Sequence, residues 1–213
     1  MVKVKFIVLI TLMTCGSANS ENLPSGTINA YFQQLSRAGV PDGCSLVFVA
    51  NTSDTAYLKG AQVTMSGSIA VRDMNGTSLT FTGKLGTRAF DLLNSQWVAP
   101  HSFYFSSKNG TTAGKVKLSK SETPGYKLSI GSALDDPVAG LVIDIAKTGL
   151  FVVGFNRREG GQDVYSAIDI SVALKATPGG RVLTVNESTR KDFDACVTRL
   201  ISNLKDKLEI QSQ

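Results

Sequence analysis

The residues that could do chemistry are few and far apart. His101 is the single histidine of the 213-residue chain. A Ser-His-Asp triad could use only that base, and no Gly-x-Ser-x-Gly elbow supplies its nucleophile. Its setting, Pro100-His101-Ser102, reads as the start of a strand. Ser202-Asn203-Leu204-Lys205 has the Ser-x-x-Lys spacing of serine–lysine hydrolases, but it falls late in a terminal helical stretch with no companion motif. Paired carboxylates can cleave glycosidic bonds. Asp135-Asp136 is the one adjacent pair, and it precedes Pro137 as turn residues do. Asp144 and Asp169 sit among apolar neighbours that predict strands. A hydrolase would need at least two of Asp144, Asp169, Ser202 and Lys205 in one cleft. Zinc needs several His or Cys ligands. Three cysteines and one histidine leave too few once two cysteines pair, so no metal site is expected. No glycine motif cradles a phosphate before a helix, and no cofactor is expected.

Two of the cysteines predict architecture rather than catalysis. Met1 to Ser20 has the basic start (Lys3, Lys5), the apolar run 6–13 and the small residues Ala18-Asn19-Ser20 of a cleaved secretory signal. Its apolar run is too short to span a bilayer, and no later segment is long and apolar enough. Cys15 offers the alternative of a lipid-anchored protein, although Thr14 fits the lipoprotein cleavage position poorly. With the signal removed, Cys44 and Cys196 remain, and two cysteines in an exported chain predict a disulfide. Residues 21–213 are then a single exported, β-rich domain, periplasmic or secreted. Asn51, Asn75, Asn109 and Asn186 each head an Asn-x-Ser/Thr triplet, a glycan acceptor in a eukaryotic secreted protein. Asn75-Gly76 and Asn109-Gly110 are equally the dipeptides of tight hairpins.

Charge adds little specificity. The formal net charge of +5 falls to +3 without Lys3 and Lys5. The basic residues are scattered, which argues against a nucleic-acid partner. Two polar features could bind. Lys108, Lys115, Lys117, Lys120 and Lys127 run across consecutive predicted strands, with Lys115 and Lys117 on one face. Such a face could meet an anionic envelope surface, or simply be a solvated face that resists edge pairing. Arg157-Arg158-Glu159-Gly160-Gly161 is a hairpin tip with Tyr165 behind it, and loop tips carry function more often than strands do.

The elements that must position these residues are mostly strands. Glycine at 20 residues and a charged fraction of 18% suit a turn-rich β protein. Alternation marks strands at 45–50, 61–71, 78–82, 102–107, 115–118, 127–130, 141–145 and 149–155. It continues through 164–174 and 181–185. Segment 149–155 is apolar on both faces, as a central covered strand is. Asp135-Asp136-Pro137 marks a break and a candidate subdomain joint. Ile28, Tyr31, Phe32, Leu35 and Ala38 have helical spacing, which predicts a first helix over 22–38 with Ser25 as its cap. Phe193, Cys196, Val197, Leu200, Ile201, Leu204 and Leu208 draw the apolar stripe of a last helix, with Thr189 as cap and Asp192 as its capping-box partner. The expected fold is mainly β: an antiparallel sandwich or strongly curved sheet of about ten strands, with an N-terminal and a C-terminal helix packed on it.

In layout the chain resembles small exported bacterial proteins that end in a Phe-x-x-Cys-x-x-x-Leu helix, here Phe193 to Leu200. That motif implies no activity. With no catalytic constellation in a well-patterned exported fold, the expectation is a non-enzymatic protein acting by protein–protein contact. It would be an accessory factor of an envelope or secretion assembly, or an inhibitor or immunity protein. The alternative is a β module that binds a small apolar ligand between the Phe-rich strands 103–105 and 151–155.

Overall fold

In a computed structural model, residues 25–89, 96–178 and 180–211 are described. The signal segment, Cys15 and residues 90–95 lie outside them. Six strands form an antiparallel sheet in the order β1-β2-β3-β4-β7-β6. They are β1 (Gly26–Arg37), β2 (Val40–Asp54), β3 (Ala61–Met74), β4 (Ser78–Ala89), β6 (Lys117–Lys120) and β7 (Lys127–Ser132). A second sheet runs β5-β8-β9, made of β5 (Ser102–Ser106), β8 (Leu150–Asn156) and β9 (Val164–Asp169). Strands β10 (Val172–Thr177) and β11 (Gly180–Val185) pair only with each other among the described residues. Helix α1 (Asp136–Thr148) lies between β7 and β8 in sequence, and α2 (Glu187–Gln211) ends the described chain.

The core is aromatic. Phe48 on β2 and Phe81 on β4 meet Phe105 of the facing sheet edge-on, and Phe48 also meets Phe151 on β8. Phe103 and Phe151 close the cluster around Phe105. All five rings are buried. Each contributes roughly 1.5–3 kcal/mol by leaving water, and their edge-to-face geometry adds to that. Helix α2 covers the same sheet with Phe193, Cys196, Val197, Leu200 and Leu204, all buried, as the stripe predicts. Leu208 runs past the core and is exposed.

The disulfide is present. Cys44 on β2 and Cys196 on α2 are bonded with their Cα atoms 5.9 Å apart. The cross-link spans 152 residues, for which the chain-entropy model gives an upper figure of about 5 kcal/mol. A disulfide of this kind belongs to an oxidising, exported location. No helix among the described residues is long and apolar enough to cross a membrane.

Several expectations are corrected. There is no helix over the described part of 22–38. Residues 26–37 are β1, paired with β2 along its length. Ala30, Phe32 and Gln34 turn inward while Asn29, Tyr31 and Gln33 turn out, a period of two hidden by the apolar residues on both faces. What looked like a helix stop is a two-residue hairpin: Ala38 and Gly39 both have positive φ (50° and 80°), as a type I′ turn requires. Conversely, the expected strand over 141–145 is α1. Val138, Leu141, Val142, Ile145 and Ala146 are its buried face, at helical spacing. The Asp135-Asp136-Pro137 break is that helix's N-terminus, with Pro137 in its first turn. Segment 164–174 is two strands in different sheets. The break at Ile170–Ser171 is held by the Asp169 carboxylate, which accepts from the Ser171 N–H at 2.8 Å. Strand β6 begins at Lys117, leaving Lys115 before it. Thr189 does not cap α2, which starts at Glu187. It is buried, and its hydroxyl donates to the Ala30 carbonyl at 3.2 Å, tying α2 to β1.

Candidate functional site

The tip between β8 and β9 is built into the body of the protein. Arg157 Nε donates to Asp54 Oδ2 at 2.7 Å, and the Asp54 side chain is fully buried. The other Asp54 oxygen accepts from the Tyr57 N–H at 2.8 Å. The Arg157 guanidinium also lies 5.9 Å from the Phe155 ring centroid. Arg157 therefore anchors the tip to the β2–β3 loop rather than reaching into solvent. Its neighbour Arg158 is exposed and lies 5.6 Å from the centre of the Tyr57 ring. The Tyr57 hydroxyl donates to the Gln162 carbonyl, fixing that ring against the far side of the tip.

Behind the tip the outer face of the three-stranded sheet carries two more tyrosines. Tyr104, Gly154 and Tyr165 sit opposite one another across β5, β8 and β9. A Cβ on Gly154 would lie 2.5 Å from Tyr104 Cζ, so the glycine lets the Tyr104 ring lie over the sheet. Asp163 gathers the polar groups: its Oδ2 accepts from Tyr104 at 3.1 Å and from Tyr165 at 3.5 Å, and its Oδ1 accepts from Asn156 Nδ2 at 3.1 Å. Burial, then the hydrogen bonds with Tyr165 and Asp163 and the Asp163 charge, push the Tyr104 phenol above its ordinary value. Tyr104 thus stays protonated and works as a donor, not as a phenolate base. Tyr165 is 57% exposed. Its strand is held by Thr52, whose hydroxyl donates to the Tyr165 carbonyl at 2.8 Å.

The structure joins Arg157, Arg158 and Tyr165 in one corner and places Lys115 and Lys117 elsewhere, at the β6 edge of the six-stranded sheet. Sequence reading missed Asp54, Tyr57, Tyr104, Asn156 and Asp163. Only their side-chain types hinted at a role, because the contacts span up to 105 positions in sequence.

The remaining chemical candidates are each engaged separately. Asp144 lies on α1 and accepts from Ser107 Oγ, the Asn109 N–H and Asn109 Nδ2, each at 2.8 Å. Burial raises its pKa, but the Asn109 and Ser107 hydrogen bonds and the Lys108 charge outweigh that and hold it below its ordinary value. Asp169 caps the β9–β10 turn, and Ser202 and Lys205 are exposed on α2. No hydrogen bond or ion pair joins any two of these four. His101 is exposed, and its backbone N–H donates to the Asn156 carbonyl. Among the described residues no three His, Cys, Asp or Glu side chains cluster as metal ligands. The space between the Phe-rich strands is filled by their own rings. An apolar groove of about 200 Å³ lies instead where Val71 and Leu79 meet Val142 on α1 and Val197 and Ile201 on α2. Of the four Asn-x-Ser/Thr triplets, Asn51 is buried and accepts from Thr64, and Asn109 and Asn186 are hydrogen-bonded through their side-chain amides. Asn75 is exposed at the β3–β4 turn. Comparison with protein-family models, curated proteins and solved structures found no match.

Proposed function

We propose that this is a non-enzymatic exported protein, periplasmic or secreted, that acts by contact with another envelope or secreted protein through the corner around Tyr57, Tyr104, Arg158 and Tyr165. The single observation that carries this reading is the set of tyrosines and an arginine held in place by Asp54, Asp163 and Gln162, with Arg158 and Tyr165 exposed. Tyrosine and arginine dominate binding hot spots. Side chains already fixed by hydrogen bonds lose little freedom when a partner docks. An accessory factor of an envelope assembly, or an inhibitor, would use such a rigid patch.

The test is a photo-reactive residue at position 165 in the exported protein, with a matched probe at the exposed Ser202 on α2 as control. One discrete cross-linked partner from position 165, absent from position 202 and lost with Arg158→Glu, supports the reading. Equal products from both positions would reject it.

A further inference from the structure

A second surface lies on the outer face of the six-stranded sheet, where β4, β7 and β6 run side by side. Lys84 and Arg88 point out from β4 with Gly86 between them. A Cβ on Gly86 would lie 2.8 Å from Tyr126 Cε1, so the Tyr126 ring lies directly over the strand. Trp97 packs against Tyr126 with ring centres 5.7 Å apart and planes inclined by 34°. Each ring holds a cation: Lys84 lies 4.7 Å from Tyr126 and Arg88 lies 5.0 Å from Trp97. Along the same face Thr82 pairs with Ile130 and Ile130 with Lys117. Ile130 is 41% exposed. Lys120 and Lys127 sit directly opposite one another, but in register with the buried Leu85 they belong to the sheet's other face. Like charges placed so destabilise a sheet. Among the described residues none of Lys84, Arg88 and Lys117 forms an ion pair, although Lys84 donates to the Thr123 hydroxyl at 2.7 Å.

From this we infer that the β4–β7–β6 face docks on an anionic phospholipid surface, with Trp97 and Tyr126 at headgroup level and the lysines on phosphates. Charge complementarity and the mixture of side chains together select this partner. Unpaired cations alone would suit any polyanion. Tryptophan, tyrosine and an exposed isoleucine interleaved with lysine and arginine are the composition of a membrane interface. The disulfide suits an oxidising, exported location, where membrane surfaces are at hand. None of the residues of this face is part of the tyrosine corner, so the two readings stand or fall separately.

Trp97 is the only tryptophan and sits on the face itself, which provides a built-in probe. The full disulfide-bonded chain is titrated with vesicles of phosphatidylglycerol and phosphatidylcholine (1:3) and with pure phosphatidylcholine. The expected result is a blue shift of Trp97 emission and co-sedimentation with the first only, reversed by 0.5 M salt as screening shortens to a few ångströms. Neutralising the exposed cation of this face, Lys117→Gln, should weaken partitioning roughly five-fold, whereas Lys120→Gln, on the opposite face, should leave it unchanged. The salt reversal needs no variant and stands even if one misfolds. No shift with the anionic vesicles, an equal shift with pure phosphatidylcholine, or a larger shift with polyglutamate or DNA at matched charge would overturn the inference.

Discussion

The tip between β8 and β9 and the face made by β4, β7 and β6 use cations in opposite ways. At the tip Arg157 is spent on the buried Asp54. Arg37, Arg72, Arg190 and Lys207 are likewise set against Asp42, Glu187 or Asp73. On the β4–β7–β6 face Lys84 and Arg88 rest on aromatic rings, Lys117 is exposed, and no described carboxylate forms an ion pair with them. A cation paired inside the fold specifies where a loop sits. A solvated cation left unpaired adds little to stability and is available to something else. The pairing state, more than the number of basic residues, separates scaffold from surface in this molecule.

The contrast can be broken most sharply at its buried end. Asp54→Ala leaves Arg157 without its partner and removes the acceptor of the Tyr57 N–H, so urea unfolding should show a loss of about 3–5 kcal/mol. Lys117→Ala, on the open face, should change stability by no more than about 0.5 kcal/mol. Equal effects would erase the distinction.

Next in size is the covalent clasp. Replacing Cys44 and Cys196 together by Ala should cost about 2–5 kcal/mol. Wherever the variant remains folded by near-UV dichroism, both surfaces should be intact, since neither cysteine is part of them. A variant with unchanged melting temperature but lost binding would show that the disulfide is more than a clasp.

Asp144 gives a smaller, pH-dependent effect. Its folded pKa is lowered, so it contributes stability that is fully present above the ordinary Asp value of about 3.9 and is lost as pH falls through the lower folded value. Wild type and Asp144→Asn should therefore differ at neutral pH and converge in acid. Parallel curves across that window would mean that the 107–109 loop does not depend on the charge. Smallest of all, Lys120→Glu should raise stability by about 0.2–1 kcal/mol by relieving the pair with Lys127.

How much of this was legible in the sequence follows from the range of each interaction. The α2 stripe and the Cys44–Cys196 bond were legible because a buried helix face repeats locally and two exported cysteines leave one pairing. Strand β1 was misread because Tyr31 is apolar yet outward, so helical and alternating spacings both fit. Helix α1 was misread because Leu141, Ile143 and Ile145 alternate by chance, while Val138, Val142 and Ala146 carry the true period. Of the corner, Arg157, Arg158 and Tyr165 could be singled out as a loop tip and its neighbour. Asp54, Tyr57 and Tyr104 could not, because only the packing of β2 and β5 beside β8 and β9 brings them there.

The most direct test of contact through the corner compares cross-linking from position 165 in wild type and in Arg158→Glu, with melting temperature measured on both. The account predicts one partner captured by wild type, its yield collapsing in the variant at unchanged melting temperature. The same product at the same yield in both would contradict it.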